Sequence, residues 1–140
     1  MRRDAVLWDT LGMQDRPTAR ELLATIADLL EREVLAAVAG PLQHQVRVAG
    51  NLARILEREV ELGVAHEQRE VELLCRVLGE APDGRDALEL SGALVLRLNA
   101  GHDPELERRA WPALVEIVRG KLAINKPGYD DYDPSTELET

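Results

Sequence analysis

The chain has no phenylalanine, two tryptophans, two tyrosines and one cysteine, Cys75. A lone cysteine builds neither a disulfide framework nor a zinc site, so a reducing cytoplasm is the default compartment. No apolar run approaches the roughly 18 residues that a membrane-spanning helix requires. The opening Met1-Arg2-Arg3-Asp4-Ala5-Val6-Leu7-Trp8-Asp9 has too short an apolar stretch for a secretory signal. Positive charge is in deficit: 17 Lys and Arg stand against 26 Asp and Glu, a net charge of −9. That balance works against electrostatic capture of nucleic acid or anionic lipid. The motifs G-x-x-x-x-G-K-[ST], G-x-G-x-x-G, G-x-S-x-G and H-E-x-x-H are all missing. His44, His66 and His102 lie far apart without ligand spacing and read as surface or loop histidines. Cys75 reads as a small packed residue, and Trp8 and Trp111 as packing anchors. The expectation is a non-enzyme with no cofactor and no metal.

What remains is enough for one globular domain: 140 residues, 45% of them hydrophobic and 31% charged. Thr18 with Glu21 makes a capping box just after Pro17. Leu22, Leu23, Ile26, Leu29, Leu30 and Val34 then recur at helical spacing until Gly40-Pro41 stops the run. A second helix is predicted from about Leu42 to Leu62, ending at Gly63, and a third from His66 to Leu78, ending at Gly79. Ala81-Pro82-Asp83-Gly84 is a turn, and a fourth helix covers Asp86 to Asn99. Asp103-Pro104 starts the last helical segment, which Pro112 should kink or divide. No stretch alternates like a strand. The predicted fold is all-α, a single bundle of four to six helices with short loops over residues 15–125. Residues 1–14 read as an N-terminal extension, with Met13 an alternative start. Residues 126–140 set Lys126 against Asp130, Asp131, Asp133, Glu137 and Glu139 among helix breakers, and read as a flexible acidic tail.

Two faces of this bundle stand out. On the second helix, Leu42, Val46, Ala49, Ala53, Leu56 and Val60 form one apolar stripe, and Val48, Leu52, Ile55 and Leu62 a second beside it. Such a wide apolar arc marks a central helix. The remaining face carries Arg47, Asn51, Arg54 and Arg58, with His44 one turn earlier. This ridge either seeks an anion or an acidic partner, or is neutralised internally by Glu57, Glu61 and carboxylates of other helices. Glu59 interrupts the second stripe, where a carboxylate is costly unless paired. A buried ion pair with Lys121, Arg32 or Arg119 is expected. The fourth helix is apolar nearly all round, through Leu88, Leu90, Ala93, Leu94, Val95, Leu96 and Leu98. It is either wrapped by its own bundle or wedged against another chain, which makes Leu88, Leu90, Leu94, Val95 and Leu96 interface candidates.

Three pieces, in order, resemble a small bacterial all-helical family known only as a domain of unknown function. The first is Met13-Gln14-Asp15-Arg16-Pro17-Thr18-Ala19 with Glu21-Leu22-Leu23. The second is an R-V-A-x-N-x-L pattern carried by Arg47, Val48, Ala49, Asn51 and Leu52, then Arg58-Glu59 and Gly63. The third is a K-L-A-[IV]-x-x-P-x-Y close, from Lys121-Leu122-Ala123-Ile124 through Pro127 to Tyr129. One departure is that the family often carries an aromatic residue ahead of the arginine, where Gln43, His44, Gln45 and Val46 stand here. Members of the family are typically encoded beside aminoglycoside-phosphotransferase-like kinases and acyl-CoA dehydrogenases. The resemblance therefore implies a non-catalytic accessory subunit of a kinase that phosphorylates a hydroxyacyl-CoA, with an acyl-CoA dehydrogenase as a further partner. The alternative is a stand-alone binding protein for an anionic small molecule such as an acyl-CoA. A homo-oligomeric bundle is compatible with both.

Overall fold

The computed structural model describes residues 16–130, and among these every regular element is helical. The N-terminal extension, with Trp8 and the alternative start Met13, and the acidic tail from Asp131 onward lie outside the described residues.

Helix α1 (Ala19–Asp28) starts where its cap is written. The Thr18 hydroxyl accepts from the Glu21 amide at 3.2 Å, and the Glu21 carboxylate accepts from the Thr18 amide at 2.8 Å. This reciprocal pair satisfies two amides that a helix start otherwise leaves without partners. The helix then widens into a π-helical stretch (Leu29–Val34) and ends in a last α turn (Leu35–Ala37). The widening re-phases the apolar stripe, so that Leu30, Val34 and Leu35 are all half-buried. Gly40, at φ 66°, makes the left-handed step that admits Pro41 at the first position of the next helix.

Helix α2 (Pro41–Leu78) is one continuous helix of 38 residues, where the sequence predicts two helices broken at Gly63. A glycine inside a helix costs about 1 kcal/mol relative to alanine, but it stops the helix only when the chain takes a left-handed or capped turn there. Nothing after Gly63 enforces one: Val64 and Ala65 simply continue the helix. The true stop is Gly79, at φ 70°. There the amides of Gly79 and Glu80 return to the carbonyls of Arg76 and Cys75, a Schellman end.

Helix α3 (Ala87–Asn99) starts at a second capping box, between Asp86 and Glu89. Helix α4 (Pro104–Asn125) starts at Asp103, whose carboxylate accepts from the Leu106 amide at 3.1 Å. It runs through Pro112 as one helix. The proline ring forfeits one backbone hydrogen bond, but Pro112 sits on the exposed side, where solvent can satisfy the freed carbonyl.

The chain forms two compact units, Met1–Glu61 and Leu62–Thr140. In the first unit, α1 lies against the N-terminal part of α2. Its described interface is narrow: Gly50 lets Leu30 and Glu31 approach, and Ala27, Val46 and Ala53 are buried. The α2 stripes expected to be central are largely open in this unit. In the second unit, the end of α2, α3 and α4 enclose a continuous core of Leu73, Leu74, Cys75, Val77, Leu78, Leu90, Leu94, Leu106, Ala110 and Ala113. Among the described residues no helix is long and apolar enough to cross a membrane.

Candidate functional site

The arginine ridge on α2 divides in two. His44, Arg47 and Asn51 are exposed. Arg47 makes no ion pair among the described residues. Arg54 is instead committed within its own unit. Its Nη2 donates to Asp28 Oδ1 at 2.7 Å and to Glu31 Oε2 at 2.8 Å, and its Nη1 donates to Glu57 Oε2 at 3.0 Å. Hydrogen bonds donated to Glu31, Asp28 and Glu57 hold the guanidinium more firmly protonated than usual. The same contact holds the Asp28 carboxyl below its ordinary range. Glu57 was legible as a partner; Asp28 and Glu31 were not. Arg58 is half-buried one turn further on.

Glu59 is a correction. It is exposed rather than buried, and the three cations suggested for it bind elsewhere: Lys121 to Glu70 at 2.9 Å, Arg32 to Asp28 at 3.8 Å and Arg119 to Asp130 at 2.5 Å. The stripe that Glu59 interrupts is itself open, so the carboxylate keeps its water and needs no buried counter-ion.

The interface candidates of α3 separate by face. Leu90 and Leu94 point into the second unit's core, with Leu98 half-buried beside them. Leu88, Val95 and Leu96 point outward and are 81%, 55% and 73% exposed. Gly92 falls on the same outward side, at i+4 from Leu88, and a Cβ there would meet open space. The outward side of α3 is therefore apolar, with a gap at its middle where another backbone can approach closely.

Sequence reasoning missed a groove of about 890 Å³ within the second unit, between α2 and α4. Leu73, Trp111, Val115 and Ile117 give it an apolar lining. Its charged rim is paired: Arg69 with Glu116 at 2.6 Å, and Lys121 with Glu70 at 2.9 Å. The Glu116 partner keeps Arg69 charged, and Arg69 in turn holds the Glu116 carboxyl below the usual range. His66 is half-buried rather than a surface histidine. Its Nδ1 lies 2.9 Å from the Gly120 carbonyl, which can only accept, so Nδ1 carries a proton and donates it there. The signal was available: His66, Arg69, Glu70 and Leu73 fall at i, i+3, i+4 and i+7 on one helix face. Among the described residues no three metal-ligating side chains cluster.

A family model, Domain of unknown function (DUF6285), matches residues 36–129. The chain belongs to this family. The DUF6285 segment contains the whole of α2, α3 and α4, and with them the arginine ridge, the outward side of α3 and the groove. Two of the three resembling pieces fall inside it; the piece from Met13 to Leu23 lies before it. At the end of the matched segment, Lys121 pairs with Glu70, Ile124 is buried and Lys126 Nζ lies 4.1 Å over the Tyr129 ring. No curated protein and no solved structure matches the chain.

Proposed function

We propose that this protein is a non-catalytic accessory subunit that works in the cytoplasm by protein–protein contact, and that the outward side of α3 is the contact surface. The observation that carries this reading is the exposure of Leu88, Val95 and Leu96 around the open Gly92. Those side chains sit on a helix whose opposite side is already seated in a complete core, so the chain's own fold has no use for them. The family resemblance supports, as the partner, a phosphotransferase-like kinase acting on a hydroxyacyl-CoA, since members of the resembling bacterial family are typically encoded beside such kinases and acyl-CoA dehydrogenases. The test is co-purification with that kinase. Complex formation that changes kinase turnover, and that Leu88→Glu with Leu96→Glu abolishes at unchanged helical content, supports the reading. A kinase that neither co-purifies nor changes in activity overturns it.

A second reading, a binding protein for an anionic small molecule, rests on Arg47, whose exposed guanidinium has no carboxylate beside it among the described residues. His44 and Asn51 lie on the same exposed side. Calorimetry with CoA esters discriminates: binding by the isolated chain, lost in Arg47→Ala, favours this reading over the first.

A further inference from the structure

The hairpin of the first unit leaves much of its apolar surface unspent. Its described buried apolar residues are Ala27, Val46 and Ala53, two of them alanines. Its large side chains lie on the surface: Leu22, Ile26 and Leu29 of the α1 stretch, and Leu42, Val48, Leu52, Leu56 and Val60 of α2 are each 41–54% exposed. We propose that this hairpin pairs with the hairpin of a second copy of the chain, two-fold symmetrically, to close a four-helix bundle. The proposal uses a different face from the accessory-subunit reading and does not depend on it.

The area fits such a pairing. A leucine-sized side chain carries roughly 60–120 Å² of apolar surface, so eight half-open ones offer roughly 250–500 Å² per copy. A standard interface buries about 800 Å² per partner, a little over half of it apolar. The upper part of the available range therefore meets what a stable dimer needs.

The charge pattern selects a copy of itself as the occupant. The cations and carboxylates of the hairpin gather on the side of α2 away from Leu52 and Leu56, and they are neutralised within one chain: Arg54 by Asp28, Glu31 and Glu57, and Arg20 by Glu61 at 3.2 Å. The open stripe is uncharged from Leu42 to Leu56 and reaches a charge only at Glu59. In an antiparallel crossing centred on Leu52, that residue meets its own copy and Val48 faces Leu56. Glu59 then faces the neutral amide of Gln45, which can donate to it. Along this α2 seam the two Glu59 carboxylates are kept apart, and each half of the contact repeats the other.

The experiment is sedimentation velocity on the full chain across a hundredfold concentration range, with two variants. A species of twice the 15.5 kDa chain mass is expected, and Leu52→Glu should raise its dissociation constant at least a hundredfold. Leu52→Cys keeps an apolar side chain and tests the register directly. Under oxidation it should give an interchain disulfide, because a two-fold crossing brings the two Cα atoms within about 6 Å. Arg47→Cys, on another side of the helix, should give none, and the native Cys75 is buried. A monomer at every concentration overturns the proposal. So does a dimer that Leu52→Cys fails to lock, or one that Leu88→Glu disperses and Leu52→Glu does not.

Discussion

Arg54 offers the sharpest test of how the first unit is held. Its guanidinium is about one-quarter exposed and touches three carboxylates, of which Glu57 is the best shielded. Arg54→Met keeps the aliphatic stem and removes the fork. Partly exposed pairs contribute about 0.2–1 kcal/mol each after solvent screening, so losing three should cost about 1–2 kcal/mol. Three carboxylates would also lose their shared cation, leaving Asp28 the more distant Arg32 at 3.8 Å and Glu57 the more distant Arg20 at 3.9 Å. For a chain of this size the melting temperature should fall by about 3–8 °C at pH 7. The pH dependence carries the more specific signature. Asp28 has a depressed folded pKa because Arg54 hydrogen-bonds its charged form. Its contribution is therefore present above its ordinary value of 3.8 and is lost as pH falls through the lower, folded value. In Arg54→Met that advantage is gone, and protonation relieves the crowded carboxylates instead. The gap between wild type and variant should be widest near pH 7, narrow only as the pH falls below about 4, and shrink in 1 M salt. Thermal melts at pH 7, 4 and 2.5 measure it. A gap that is absent at pH 7, or that stays constant with pH, would refute the assignment of Arg54 as the neutralised centre of the hairpin.

Other substitutions should follow from single contacts. Leu90→Ala removes a fully enclosed side chain from the second unit's core and should cost about 2–5 kcal/mol in denaturant unfolding, with the spread set by how far the cavity collapses. Gly92→Ala adds a methyl into open space in the middle of α3 and should stabilise the isolated chain by about 0.5–1 kcal/mol. Gly120→Ala should forfeit that gain, because its Cβ would stand 3.2 Å from His66 Nδ1, and that ring is tied to the Gly120 carbonyl; comparing the two melting temperatures decides it. Thr18→Ala breaks the capping box and should cost about 1 kcal/mol, seen as faster hydrogen exchange at the first amides of α1.

The fold was legible where the instruction is local. Thr18 with Glu21 and Asp103-Pro104 each write a helix start within four residues and are found where the sequence places them, and the helix expected from about Asp86 starts there on a capping box with Glu89 that the sequence reading did not name. Gly79 was readable as a stop, and Gly63 misread as one, because a glycine permits a left-handed turn without imposing it. Orientation was less legible. Leu88, Leu90, Leu94, Val95 and Leu96 are chemically alike, so composition marked the helix as over-apolar without saying that Leu90 and Leu94 face inward and the other three outward. Distant partners were least legible. Asp28 and Glu31 stand more than twenty residues before Arg54, and only the turn of the hairpin brings them to it. Glu59 was misjudged for a related reason. The stripe around it looked like a core-facing arc, but an apolar arc is buried only if another surface covers it.

That last distinction separates the two units. Leu74, Leu90 and Leu106 are sealed inside the second unit, and a helix hairpin that lacks such residues has little to set against the entropy of ordering its chain. The first unit relies on close approach at Gly50, on small side chains and on a screened ionic cluster around Arg54. These contacts fix geometry more than they add stability. The eight half-open aliphatic side chains beside them can supply the missing stability, but only once another surface covers them. Order in the hairpin and occupancy of its open face are then linked by mass action: whatever covers Leu52 and Leu56 stabilises the hairpin by an amount that grows with its concentration. The second unit already has a sealed core around Leu74, Leu90 and Leu106, so the outward side of α3 can bind a partner without being needed to keep the fold.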